Sequence, residues 1–594
     1  MEGYKRIIVI LTFFLLIILL LQLARMGVIN NAKDYVNIIE PQPETISTAL
    51  TIKNTDINFF IIFDNNSEGS IRCAENYESL FDKYKLNYKT YTSDDNIEFY
   101  DNLSGVILTF SDYNCFNSFD ILFDYVNRGG AFITAVPCED GKIYNSLAGT
   151  FGIMEHTTGG YSDYIIDKKG IVGSAGEKYP YTGKVLYSRK VRLRPDCEIY
   201  LENENNIPLL WKINFGKGLI YCVNSDVIQF PTGRGVVTEL IYEITKKSIL
   251  YPSYGIITLH LESFPGPSIR GNYKILRDSN KQYDGFIKDI LWPDVIKISK
   301  RYGIKPTIVF VQSYSSETRY PFGVGELLSS TLMTYGIEAL QNGGEISYHG
   351  YCYRPLGLKG ELLEKGWFEP WSSYEDIQKS LKITQDFFND GFPKYKLTTY
   401  FPPEGRMSQG VLHKCQDLMP DVKTICIPYH NSMGDQLYGD FKTDSNGIFF
   451  YSITSGVDGI RWNAKNSLRS LGIISQSVDI PYAIVSDKYN WFNISEDIEN
   501  IIKEAYERLP YIKPMKVSDA ANRIKLYENI SFVYNEDNDG INVEINNFFK
   551  GISFLLRTSK IPTNSDEYEI FKADDGLYSI IPKKPCFKII WGGS

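Results

Sequence analysis

From about residue 56 to residue 495 the chain repeats one unit: a short apolar run rich in β-branched and aromatic residues, then a longer stretch with helical periodicity. A chain built this way pairs its strands in parallel and carries helices back across the sheet. The repeat falls into two sets. In the first, strands are predicted at 57–63 (INFFIIF), 86–91, 105–110, 130–136 (GAFITAV) and 218–224 (GLIYCVN), with helices running to Leu80 and over 119–126 and 236–245. In the second, strands are predicted at 256–261, 306–312 (PTIVFVQ), 344–349 (GEISYH), 397–401, 424–428, 448–453 and 482–486. Helices over 286–301, which includes the triplet Trp292-Pro293-Asp294, and over 374–388 fall between them.

The fold class that follows is α/β multidomain, since 594 residues exceed what one core can organise. Residues 56–248 form a doubly wound domain of flavodoxin or amidotransferase type, and residues 254–510 a (β/α)7 barrel. Beyond residue 526 the pattern changes to short alternating strands at 530–534, 541–545, 552–556 and 588–591. That predicts a small all-β, sandwich-like module over 527–594. At the other end, residues 7–24 are apolar apart from Thr12 and Gln22, with Lys5 and Arg6 before them and Arg25 after. A run of that length predicts a transmembrane helix within residues 1–26, with a cytoplasmic stub and the bulk of the chain extracytoplasmic. Residues 27–55, with Pro41 and Pro43 and no helical period, read as a linker.

Several functions are excluded. A net charge of −9 gives no basic surface for nucleic acid. The nine cysteines contain no CxxC pair, which removes a zinc ribbon or disulfide framework. No GxGxxG or P-loop is present. Cys138 follows the fourth strand of the first set, but its context, VPCED, lacks the flanking glycines of a nucleophile elbow, and Pro137 has no amide to offer. His156, the nearest histidine in sequence, sits in a polar stretch.

Ligands of parallel α/β folds sit at the carboxyl ends of the strands. The first strand of the second set ends in His260, Glu262 and Ser263. His349 ends the third strand in HGYCY, the fourth runs into YFPPEGRMS, and Ser486-Asp487 follow the run at 482–486. These segments resemble the NodB-type polysaccharide deacetylases over about residues 254–495, and within them the membrane-anchored deacetylase of Pel-type exopolysaccharide operons. The resemblance implies an Asp-Asp pair supplying a general base and a metal ligand, an HxxxH pair supplying two more ligands, a proline-bearing loop lining the groove and a late His acid. A divalent metal so held polarises the acetyl carbonyl and activates a water.

At most of these positions the chain departs from the pattern. Glu262 stands for the base, Ser263 for the metal-binding Asp, Tyr353 for the second His and Asp487 for the late acid; only His349 matches a ligand. Pro402, Pro403, Glu404 and Arg406 retain the proline loop, with Ser408 beside them. The expectation is a catalytically degenerate, deacetylase-like protein without cofactor, binding or guiding an amino-sugar exopolysaccharide and meeting synthase or export components. Trp367, Phe368, Trp371, Tyr400, Phe401, Trp491 and Phe492 are candidates for stacking on sugar rings. The alternative is an active hydrolase of N-acetyl groups whose zinc is held by His349 with His260 and Glu262, since residues two apart on a strand share a face. His430 is an isolated further ligand candidate, and His413 falls in a helical surface segment. A third reading is an assembly protein that docks through the domain at 56–248.

Overall fold

The computed structural model describes residues 40–592 apart from 140, 182–185, 268–272, 324, 326, 363–368, 430–438, 458 and 486–489, together with 6, 10–20, 22 and 34–37. At its centre seven parallel strands follow one another around a curled sheet. They are Ile256–Glu262, Pro306–Ser313, Glu345–Cys352, Thr399–Tyr400, Thr424–Pro428, Phe449–Ile453 and Ile473–Asp479, here counted first to seventh. The seventh pairs with the first over its whole length, from Ile256 opposite Ile473 to Glu262 opposite Asp479. It also meets the end of the sixth: Thr454 N–H donates to the Ser475 carbonyl at 2.7 Å, and Ser477 N–H donates to the Thr454 carbonyl at 2.8 Å. The sheet therefore closes on itself. Closure brings the first and seventh strands together at one mouth, where their carboxyl ends face outward.

The last strand of the ring corrects the sequence expectation. Residues 482–486 were expected to supply it, but Ile480–Val485 is a helix, and residues 486–489, which include Ser486 and Asp487, lie outside the described residues. Pro481 suits the first turn of that helix, where its missing N–H costs nothing. The strand comes earlier because the helix Ile460–Leu471 stops at Gly472, whose φ of 62° lets the chain reverse. A Cβ there would lie 1.8 Å from Ser253 Oγ, so only glycine fits the turn.

A nine-stranded sheet lies before the ring. Its parallel half runs Asn87–Thr92, Asn58–Phe63, Gly105–Leu108, Ala131–Thr134, Gly218–Val223, the 2-1-3-4-5 order of one class of doubly wound sheets. An antiparallel half (Pro208–Phe215, Glu198–Asn203, Tyr164–Asp167, Glu177–Pro180) extends it. At the C-terminus a three-stranded sheet, Ser531–Glu536, Gly540–Asn546 and Cys586–Ile590, accompanies a four-stranded one. The latter takes Ile249–Pro252, from before the ring, as an edge strand beside Phe554–Arg557, Leu577–Pro582 and Tyr568–Asp574.

Buried charge ties these layers together. Glu239 on the helix Arg234–Thr245 accepts from Arg469 of the ring helix at 2.8 Å and from Arg557 of the C-terminal sheet at 2.5 Å. Asp440, just before the ring's edge strand, pairs with Arg234 at 2.6 Å and Lys83 at 2.9 Å, and accepts from the Tyr429 hydroxyl at 3.0 Å. Residues 34–37 and 40–55 are also anchored rather than loose. Asn37 bonds to Thr398 before the fourth strand, Glu40 pairs with Lys305 before the second, and Thr45–Ile46 pairs with Phe548–Phe549. Their described part thus crosses the end of the ring opposite the mouth. Among the described residues no helix is long and apolar enough to cross a membrane. Of the expected span at 7–24, the described residues 10–20 are helical and exposed.

Candidate functional site

The mouth is assembled from the inner face of the first strand. Thr258, His260 and Glu262 alternate with Leu259 and Leu261 and so face the same way, into the ring. Thr258 Oγ1 lies 3.0 Å from the Tyr451 hydroxyl, and His260 Nε2 lies 2.8 Å from Thr258 Oγ1. The His260 ring packs beside Phe401 and Tyr451 with its centroid 5.5 and 6.1 Å from theirs. The seventh strand answers with Ser475, Ser477 and Asp479 in register opposite Thr258, His260 and Glu262. The Ser477 hydroxyl donates to Glu262 Oε1. An all-polar ladder is unusual where barrels pack bulky branched residues, and it marks this side of the ring as built for chemistry or binding.

At the rim, Ser263 has a left-handed φ of 55°, which turns the chain out of the strand. Its hydroxyl donates to Asp479 Oδ2 at 3.3 Å, and its carbonyl accepts from the Tyr314 hydroxyl at 2.9 Å. Asp479 Oδ1 accepts from the Tyr482 N–H at 2.9 Å, which starts the following helix. His349 is fully buried. Its Nδ1 lies 2.7 Å from the Phe401 carbonyl, which can only accept, so Nδ1 carries the proton. Nε2 is then the lone-pair nitrogen, and it accepts from the Ser263 N–H at 3.3 Å. Glu262 Oε2 faces it at 3.9 Å.

Burial dominates the electrostatics. It raises the Glu262 carboxyl to about 7, against the Ser477 hydrogen bond and with help from the Asp479 charge. It also raises Asp479 above the ordinary carboxylate range. It lowers His260 to about 3, and lowers His349 to about 4 against the Phe401 hydrogen bond, so both imidazoles are neutral near pH 7.

A catalytic divalent metal does not fit this donor set. Catalytic zinc takes three protein ligands. At the positions where the resemblance implies them, Ser263 offers a hydroxyl already given to Asp479. Tyr353 offers a phenol whose pKa burial lifts well above the ordinary value, its ring set edge-on to His349 at 5.1 Å. The substitute set of His260, Glu262 and His349 is not brought together either, because His260 Nε2 turns down the strand to Thr258. Among the described residues no group of three His, Cys, Asp or Glu side chains is placed to hold a metal ion.

The remaining sequence candidates take these places. Pro402 and Pro403 are buried beside the mouth, Glu404 is half-buried with a φ of 54°, and Arg406 is wholly enclosed rather than lining a groove. Trp371, a stacking candidate, is buried: its Nε1 donates to the Pro355 carbonyl at 3.1 Å and its ring packs on Phe322. Tyr400, Phe401 and Trp491 are buried as well, while Phe492 is exposed. His413 is an exposed helical residue. Trp367, Phe368 and His430 lie outside the described residues. In the N-terminal sheet Cys138 is buried and its thiol pKa raised by desolvation, the opposite of an activated nucleophile; His156 packs on the Tyr144 ring. Ser477, Asp479 and Tyr314 were missed by sequence reasoning. The signal for the first two was present in the alternation of residues 475–479 after Gly472.

A family model described as "uncharacterised protein conserved in bacteria (DUF2194)" matches residues 177–579, more than half of the chain. No curated protein matches the sequence. Among solved structures the chain is similar to Agd3, a carbohydrate deacetylase, at 10% identity and a TM-score of 0.45, over 90% of this chain and 99% of that one. It is also similar to a β-galactosidase from Bacillus circulans at 14% identity and a TM-score of 0.24, over 33% of this chain and 34% of that one. A ThuA-like protein from Bacteroides uniformis matches at 14% identity and a TM-score of 0.23, over 30% of this chain and 87% of that one.

Proposed function

The chain belongs to the DUF2194 family, and we propose that it is a deacetylase-like, catalytically degenerate protein that binds or guides an amino-sugar exopolysaccharide during assembly. The observation that carries this reading is the rim itself. A polar ring mouth is kept, yet Ser263 and Tyr353 stand where the resemblance implies metal ligands, and His349, the one matching residue, has its Nε2 taken up by the Ser263 N–H. A groove can hold sugar through such polar groups without the Lewis acid that acetyl hydrolysis by this route requires. Zinc-dependent deacetylation with His260 as a substitute ligand is disfavoured by the direction of its Nε2. In this reading the apolar segment at 7–24 anchors the protein in the cell membrane with the bulk outside. The exposed hydrophobic residues Ile10 to Leu20 support that placement. Asn37 and Glu40 are held at the end opposite the mouth, so the opening would face away from the bilayer toward emerging polymer and toward synthase or export components.

The test uses the purified chain with partly de-N-acetylated hexosamine polymer. Polymer should be retained on immobilised protein while acetate release stays at the level of a no-protein control. Acetate released in proportion to enzyme and abolished by a chelator would contradict the reading. So would a failure to retain polymer.

A further inference from the structure

A cavity of about 710 Å³ opens between the helix Glu68–Tyr84 of the N-terminal sheet, the ring segment 440–445 and the end of the helix Val517–Glu528. That volume is within the range of small-molecule sites, about 300–1,000 Å³. Tyr254, two residues before the first strand, lines it, as does Thr443, which pairs with the opening residue of the sixth strand. The cavity therefore lies toward the end of the ring opposite the mouth. Six carboxylates line it against three lysines, so its walls are acidic. Four of the six are engaged by the fold. Asp82 accepts from the Tyr88 hydroxyl at 3.0 Å, and Asp440 is held by Arg234 and Lys83. Asp444 accepts from the Ile448 N–H, and Glu528 from the Thr443 N–H and hydroxyl, each at 2.8 Å. Glu75 and Glu78, three residues apart and so on one helix face, have no ion pair or hydrogen bond among the described residues. Burial raises both carboxyls, and the Glu75 and Asp82 charges raise Glu78 further.

Tyr254 is a second unanswered group on the same walls. It is only 4% exposed, and its ring packs on those of Phe441 and Tyr527 at 5.8 and 5.1 Å. Its carbonyl is taken by Arg523 Nε at 2.7 Å, but its hydroxyl makes no hydrogen bond among the described residues. Burial lifts the phenol well above its ordinary pKa, and the groups that act on it next are Asp440, Arg234, Tyr527 and Glu528, three of which line the cavity. The hydroxyl end of the side chain is thus the part that reaches the opening, as a neutral donor. We propose that this cleft is a second binding site for the amino-sugar polymer, with the ammonium of a 2-amino-2-deoxy sugar at Glu75 and Glu78 and a sugar oxygen at the Tyr254 hydroxyl. An ammonium supplies the donors that two free carboxylates lack, and a sugar's oxygens supply the acceptor that a buried phenol lacks. The inference rests on the polysaccharide-binding reading and adds a contact outside the ring mouth. In the orientation proposed above, polymer leaving the bilayer meets this cleft before it reaches the mouth.

The experiment is calorimetric titration of the full chain with the β-1,4-linked glucosamine tetramer at physiological salt, which should find a site at the cleft besides the mouth. The double variant Glu75→Gln with Glu78→Gln should weaken one site by about 10- to 100-fold, the range of a charge-assisted hydrogen bond. Tyr254→Phe should weaken the same site. Asp120→Asn with Asp124→Asn removes two charges from the exposed side of the helix Phe119–Asn127, which packs in the other core of the N-terminal sheet. That pair should change neither site and so exclude general attraction to an acidic protein. Unfolding midpoints recorded on every variant establish that each is folded. Tetramer binding that the cleft variants leave unchanged, or a loss that the Asp120 and Asp124 control reproduces, overturns the inference while leaving the polysaccharide reading in place. A single site that the cleft variants remove supports the inference and counts against the mouth. No binding of the tetramer by the native chain overturns both.

Discussion

Glu239→Ala should lower the stability of the protein by about 3–5 kcal/mol, the cost of removing one member of a buried ion cluster. Glu239 is almost fully buried and joins Arg469 at 2.8 Å to Arg557 at 2.5 Å. Burial would raise its pKa, but the hydrogen bond from Arg557 and the two guanidinium charges override that and hold it below the ordinary value. Without it, two cations remain in low dielectric, with Arg469 left its bond to Asp574 at 3.1 Å. The loss is large because the carboxylate is the point where the N-terminal sheet's last helix, the ring and the C-terminal sheet meet. Chemical unfolding at pH 7, followed by tryptophan fluorescence, reads the difference. A change below about 1 kcal/mol, the range of an exposed pair, would mean that the cluster does not hold the layers together.

Glu262→Gln should act in the opposite direction, and increasingly as pH rises above about 4.5. The Glu262 carboxyl is raised by burial from 4.5 to about 7. A folded-state pKa above the unfolded one contributes stability that is fully present below about 4.5 and is lost as pH rises through about 7. The span corresponds to about 3 kcal/mol. Glutamine keeps an oxygen for the Ser477 hydroxyl and does not ionise, so the variant carries no such loss. At pH 8 it should be more stable than the native chain by about 3 kcal/mol, and at pH 4 the two should agree. Stability curves recorded at both pH values decide this. Parallel behaviour of the two proteins across the range would show that Glu262 is not buried as the ring places it.

The two predictions draw on parts of the molecule that differ in how plainly the sequence announces them. The first strand was legible because its outward residues, Ile257, Leu259 and Leu261, are continuous β-formers with Thr258, His260 and Glu262 between them. The seventh was not. Ser475, Ser477 and Asp479 turn inward, so the segment carries polar residues where a core-facing pattern would be apolar, and the more hydrophobic stretch after Ile480 drew the assignment instead. The antiparallel half of the N-terminal sheet was overlooked for a related reason: Glu177–Pro180 is short and polar, as an edge strand often is. Aromatic residues misled in the other direction. Trp371 and Phe401 have the composition of a sugar-stacking loop, yet both are covered by neighbours that sequence spacing cannot reveal. The Glu239 cluster joins residues more than 200 positions apart in the chain, and no local pattern encodes such a meeting.

The central claim is that the mouth has kept its polar ladder but not the donors of a divalent metal. Elemental analysis of the purified chain, equilibrated with zinc and then desalted, tests it most directly. The account predicts zinc far below one ion per chain, in the native protein and in His349→Ala alike. One zinc per chain that survives desalting, yields to a chelator and disappears in His349→Ala would contradict it.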